Sequence, residues 1–276
     1  CLIKHYYNKM KEWLQIIRPI NGIMSSIVVI IVALAVRNYN YIPIIIGMLV
    51  AFLTNAGGNV LNDYYDADVD LINHPERPIP SGKIKKSQAL IYVALIYSVS
   101  LFLSIFLGII PFFINVIAII FLYLYESYTK RMGLIGNINI SFILLLLFVF
   151  SGSIFNKYEL PAILGTTAFF ATFGREITKD VEDMAGDFNR VTLPKKIGKT
   201  NSLFISSISY VVAILISPIP YVMGYFGIFY VISVVFADIA FIISILVQFK
   251  DPHRGEIYSK YAMIIALLSF IVGGLT

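Results

Sequence analysis

Residues 55–82 read NAGGNVLNDYYDADVDLINHPERPIPSG. The stretch begins inside a long apolar segment and then fills with carboxylates. Asn55, Asn59, Asn62, Asp66 and Asp70 recur at spacings of three and four, which on a helix makes one polar stripe. A polar stripe on a membrane helix must face protein or a water-filled cavity, because ionisable groups are costly in hydrocarbon. A solvated helix end just outside the bilayer would give the same pattern. A second acidic cluster late in the chain weighs against that simpler reading and points to a divalent-metal site for a phosphorylated ligand.

The surroundings of this stretch set the fold class. Of 276 residues, 58% are hydrophobic and only 13% charged, with a mean hydropathy of +0.83. A soluble domain carries about 25% charged residues, so this is an integral membrane protein. Apolar segments near the roughly 20-residue length of a spanning helix recur along the chain, which implies an all-α membrane protein. Nine transmembrane helices are expected, near 17–36, 42–61, 88–108, 111–126, 137–155, 160–178, 203–220, 223–248 and 258–275. They would form one domain over 1–276 around a central cavity, with no linker, low-complexity segment or convincing repeat.

Residues 1–15 form a basic, aromatic lead-in with Lys4, Lys9, Lys11 and Trp13, a composition suited to the membrane interface. A single cysteine, Cys1, excludes a disulfide framework and a Cys-rich zinc site. His5, His74 and His253 show no metal-ligand spacing and read as loop residues. The opening on Cys1 rather than methionine suggests a trimmed start, and no cleavable signal segment stands apart from the first span. The bilayer is the implied partner; a nucleic acid is not.

The charges orient the spans. With the N-terminus cytoplasmic, every one of the 21 lysines and arginines except Arg37 and Lys157 falls in an inside segment. That is the positive-inside pattern. Helices two and six then both run toward the cytoplasm, and the loops after them, near 62–87 and 179–202, are the longest. The expected location is therefore the cell membrane, multi-pass, with the active face toward the cytoplasm.

The second cluster follows helix six, where residues 174–187 read GREITKDVEDMAGD. In each cluster two aspartates stand four apart, Asp66 with Asp70 and Asp183 with Asp187. Such pairs share a helical face and repel one another. A cation between them relieves that repulsion, and Mg²⁺ suits the role because it takes one or two carboxylates and completes its shell with water and phosphate oxygens. The spacing does not match an EF-hand. Interleaved cations, Arg77, Lys130, Arg131, Arg175 and Lys179, can clamp phosphate oxygens. Lys83, Lys85, Lys86, Lys195 and Lys196 read instead as ordinary positive-inside anchors.

These residues carry a resemblance. Asn62-Asp63-x-x-Asp66-x-x-x-Asp70 resembles the first signature of the UbiA-type intramembrane prenyltransferase family, and Asp180-x-x-Asp183-x-x-x-Asp187 resembles its second. Arg18-Pro19-x-Asn21, and Tyr125 with Lys130, are similar to further family positions. The wording of residues 73–82 and 175–183 most resembles the members that act in archaeal ether-lipid synthesis. The resemblance implies Mg²⁺, with Mn²⁺ as a substitute, held by Asp66, Asp70, Asp183 and Asp187 together with Asp63 and Asp180. It implies catalytic roles for Asn62, Asp66, Asp183, Lys179 and Tyr125. It implies substrate contacts from Asn21, Asn59, Arg77, Tyr128, Lys130, Arg131 and Arg175. The implied partners are a polyprenyl diphosphate donor and a lipid phosphate acceptor, with transfer of a geranylgeranyl group and release of diphosphate.

Two other readings compete. An aromatic acceptor from a quinone or haem pathway would use the same donor chemistry. A cation-coupled transporter would also place acids in membrane helices, but near the midplane and on broken helices. Tyr125, Tyr128, Phe169 and Phe173 are candidates to shield an allylic cation. Asp238, near the middle of helix eight, matches no motif and reads equally as a hydrogen-bonded structural carboxyl.

Overall fold

The computed structural model describes residues 10–185 and 191–276. Among them all regular structure is helical: α1 Met10–Ile16, α2 Pro19–Ala35, α3 Tyr41–Tyr65, α4 Ala67–Asn73, α5 Lys86–Ile105, α6 Ile109–Ser127, α7 Leu134–Ser153, α8 Glu159–Glu182, α9 Leu193–Ile197, α10 Lys199–Ile216, α11 Ile219–Val222, α12 Ile228–Gln248 and α13 Pro252–Leu275. Hydrocarbon cannot hydrogen-bond a backbone, so each spanning segment must satisfy its own amides. Large apolar side chains such as Ile91 and Leu246 remain exposed on the helix exteriors, as a lipid solvent allows.

Seven of the helices are long and apolar enough to cross a membrane, or eight if the bent pair α1–α2 counts as one span. The remaining expected span, near 160–178, corresponds to α8. This helix has 24 residues, about 36 Å at 1.5 Å per residue, but is studded with threonines and charges toward its C-terminal end.

The chain divides into two compact units, residues 1–30 with 40–127, and residues 31–39 with 128–276. In unit 1, α3 packs on α5 and α6. The core includes Ile16, Val60, Ile84, Ala89 and Tyr97. Gly57 makes the α3–α5 approach possible, since a Cβ there would lie 2.2 Å from the Tyr97 ring. The hydroxyl of Thr54 donates to Asn115 Oδ1 at 2.7 Å and meets Ser100 at 2.8 Å, which ties α3, α5 and α6 together by buried polar bonds.

In unit 2, α8 packs against α7, α10 and α13, and α12 lies along α13. Thr178 is fully buried and bonded to Ser206 and Gln248, both at 2.8 Å. Asp238, left open by the sequence, accepts a hydrogen bond from Ser217 at 2.8 Å.

Candidate functional site

Unit 1 builds its polar cluster around a strained bend. Arg18 adopts φ 47° between α1 and Pro19, and the two helices meet at 52°. Asn59 holds this bend from α3: its amide donates to Ile17 O and to Asn55 Oδ1, both at 3.0 Å. The bend aims the Arg18 guanidinium at α3, where it donates to Asn62 Oδ1 at 3.0 Å and closely pairs with Asp63. Left-handed backbone at a non-glycine residue is strain of the kind stored at functional sites.

Asp63 is only 2% exposed, and its Oδ1 also lies 3.6 Å from Arg77. Arg77 in turn donates to Asp70 at 2.6 Å, so Asp63 and Asp70 share the Arg77 guanidinium. Asn62 reaches in two directions, to Asp66 at 3.3 Å and to Glu126 at 2.9 Å. Asp66 sits at the break between α3 and α4 and is half-buried. The stripe therefore exists, with its i, i+4 members Asn55–Asn59 and Asn62–Asp66 bonded to each other. Counting Glu126, the cluster gathers four carboxylates, Asp63, Asp66, Asp70 and Glu126, and two arginines, Arg18 and Arg77.

Unit 2 presents the second cluster on α8. Asn137 donates to Asp180 at 2.8 Å. Arg175 is held by Glu256 at 3.1 Å and by Glu176 at 2.7 Å, and Lys260 meets the other oxygen of Glu256 at 2.8 Å. Phe169 and Phe173 stack with centroids 6.1 Å apart, and they continue the helical face that carries Glu176, Asp180 and Asp183. This face is half-buried or exposed, whereas Gly174, Ile177, Thr178 and Val181 point into the packed unit. Lys130 lies on a short 3-10 turn, Thr129–Arg131. Gly133, at φ 59°, follows that turn; a Cβ there would sit 2.5 Å from Val191 O, so the backbone of Val191–Leu193 passes directly over it.

The other expected site residues differ in exposure. Asn21, Tyr128, Arg131, Lys179 and Asp183 are exposed, and Tyr125 is half-buried. Asp187 lies outside the described residues. Several contributors carried no signal in the sequence: Glu126, Asn137 and Glu256 belong to no motif or spacing that marks a site. His253, read as a loop residue, starts α13 and meets Glu182 at 2.6 Å.

Among the described residues no three His, Cys, Asp or Glu side chains form a ready metal cage. Mg²⁺ does not need one, since it keeps several waters and takes one or two carboxylates plus substrate phosphates. The half-open Asp66 and the exposed Asp183 fit that donor chemistry.

Comparison with known proteins agrees with this geometry. A model of the UbiA prenyltransferase family matches residues 24–271. A digeranylgeranylglyceryl phosphate synthase of Methanosphaera stadtmanae is 36% identical, covering 96% of this chain and 100% of its own. The Methanocaldococcus jannaschii enzyme of the same name is 38% identical, with 98% of each chain covered. A solved digeranylgeranylglyceryl phosphate synthase structure superposes with a TM-score of 0.87 at 36% identity, over 97% of this chain and 99% of that one. A UbiA homologue from Archaeoglobus fulgidus, bound to GPP and Mg²⁺, shares the fold with a TM-score of 0.75 at 20% identity, over 95% of this chain and 98% of its own.

Proposed function

Because the chain belongs to the UbiA prenyltransferase family, we propose that it transfers a geranylgeranyl group from geranylgeranyl diphosphate to the free hydroxyl of geranylgeranylglyceryl phosphate. The observation that carries this acceptor is the likeness to synthases of that name along nearly the whole chain. The allylic C–O bond to diphosphate breaks, with the bonding pair leaving on the diphosphate. The acceptor oxygen forms the new ether bond, and its proton passes to the released diphosphate.

The chain's own residues supply the rest. Asp66, Asp70, Asp183 and Asp187 would hold Mg²⁺, which when bound neutralises the leaving diphosphate. Asp63, buried between Arg18 and Arg77, positions those guanidiniums, while Asp180 is oriented by Asn137. Arg77, Lys130, Arg131, Arg175 and Lys179 bind phosphate oxygens. Asn21, Asn59 and Tyr128 border the substrates, and Asn62 and Tyr125 act beside the reacting carbon. The stacked Phe169 and Phe173 shield the developing allylic cation, each face contributing about 2 kcal/mol when desolvated. Purified protein given geranylgeranyl diphosphate, acceptor and Mg²⁺ should release inorganic diphosphate. Chelation by EDTA should return release to background, and Mg²⁺ or Mn²⁺ should restore it. Release unaffected by EDTA would reject the metal-dependent reading.

We further place nine spans in one domain, counting α1–α2 as the first and α8 as the sixth, with the N-terminus and both acidic motifs cytoplasmic. The support is the confinement of nearly all lysines and arginines to one set of loops. In a Cys1→Ser background, Ser81→Cys and Thr200→Cys, both at exposed positions, should react with an impermeant thiol reagent only from the inside. Labelling of either from outside overturns the topology.

A further inference from the structure

Unit 2 carries a second polar site at the end of α8 remote from the acidic motif. The turns that follow α2 and α7 and the loop that precedes α12 enclose a cleft of about 610 Å³. Arg37, Asn156, Lys157, Tyr158, Glu159 and Tyr225 are among its lining residues. Glu159 opens α8 and Asp183 follows its last residue, so the 24-residue helix sets the two sites about 36 Å apart.

Arg37 and Lys157 are the two cations that the charge pattern separates from all the others. Both converge on this one cleft, and among the described residues neither side chain has a hydrogen-bond or ion-pair partner. The only carboxylate in the lining is already engaged, because Glu159 accepts the hydroxyl of Tyr225. That bond pushes the Tyr225 phenol above its ordinary pKa and keeps it a donor. The free charge in the cleft is therefore positive.

The backbone adds an independent observation. Asn38 N donates to Ala33 O and Arg37 N to Leu34 O, both at 2.9 Å. Lys157 N donates to Gly152 O at 3.0 Å and Asn156 N to Ser153 O at 3.2 Å. Each helix thus ends in the same paired closure, with its left-handed position filled by Arg37 at φ 55° and by Asn156 at φ 54°. Glycine is the usual occupant of that position because it adopts positive φ without steric cost. An arginine held there has an unfavourable backbone, which is explained if its guanidinium is used. Tyr158 and Tyr225 line the same cleft, as aromatic residues do at the level of lipid headgroups.

We propose that this cleft binds a phosphate-bearing anion at headgroup depth, with Arg37 donating to its oxygens in bidentate fashion and Lys157 supplying a second positive charge. A phospholipid headgroup and free inorganic phosphate both present this chemistry. The site is separate from the transferase centre and does not rest on the prenyltransferase reading.

Native mass spectrometry of the full chain in detergent tests it in three arms: with phosphatidylglycerol, with a diacylglycerol of the same chains, and with inorganic phosphate. The wild type should retain phosphatidylglycerol and not the phosphate-free diacylglycerol. Arg37→Gly/Lys157→Gln should retain one phosphatidylglycerol fewer, with turnover unchanged. Glycine suits the left-handed turn, so this variant should melt no lower than wild type. The single Lys157→Gln change, at an exposed side chain, should lower retention in the same direction. Retention of inorganic phosphate that is lost in the double variant would assign the site to soluble phosphate. Equal retention by wild type and both variants in every arm would overturn the proposal.

Discussion

Asp66→Ala and Asp183→Ala should each lower turnover by more than about 10²-fold, the scale on which loss of one group that stabilises transition-state charge is felt. The two residues lie in different units, on separate helices: Asp66 is half-buried at the α3–α4 break, and Asp183 is exposed at the end of α8. Neither is fully buried as Asp63 and Asp70 are, so their loss should spare the fold. Diphosphate release would be measured alongside the melting temperature of extracted protein. Near wild-type release from either variant would sink the requirement for both motifs.

The opposite signature belongs to Asp63. Its carboxylate is 2% exposed and sits between Arg18 and Arg77. Removing one partner of a buried ion cluster leaves uncompensated charge and costs about 3–5 kcal/mol. Asp63→Ala should thus destabilise unit 1 by roughly that amount. Because the loss arises from stranded guanidiniums, Arg18→Met combined with Asp63→Ala should cost less than the two single changes added together. Denaturant unfolding in detergent checks both statements. Additive losses would show that Asp63 and Arg18 do not depend on each other.

The extent to which sequence foretold this arrangement differs from residue to residue. Helices such as α3, α5 and α12 were legible because a bilayer leaves the backbone few alternatives and apolar length is written directly in the chain. The stripe from Asn55 to Asp70 was legible for the same reason, since its periodicity is local. The α1–α2 bend was not: it depends on Asn59 reaching Ile17 across 42 positions. Nor was the hold on Arg175 by Glu256, 81 positions away, or that of Asn62 on Glu126. No local spacing links either member of these pairs to the other, and only tertiary packing makes them neighbours. Arg37 shows the converse. Its charge was visible, but its left-handed closure of α2 depends on backbone bonds that no periodicity announces.

The acceptor is the centre of the account, and direct competition tests it. Purified protein would receive geranylgeranyl diphosphate, Mg²⁺ and equal amounts of geranylgeranylglyceryl phosphate and 4-hydroxybenzoate, with products resolved by mass. The account predicts the doubly geranylgeranylated glyceryl phosphate as the dominant product, with little or no prenylated benzoate. A prenylated benzoate as the dominant product would contradict it.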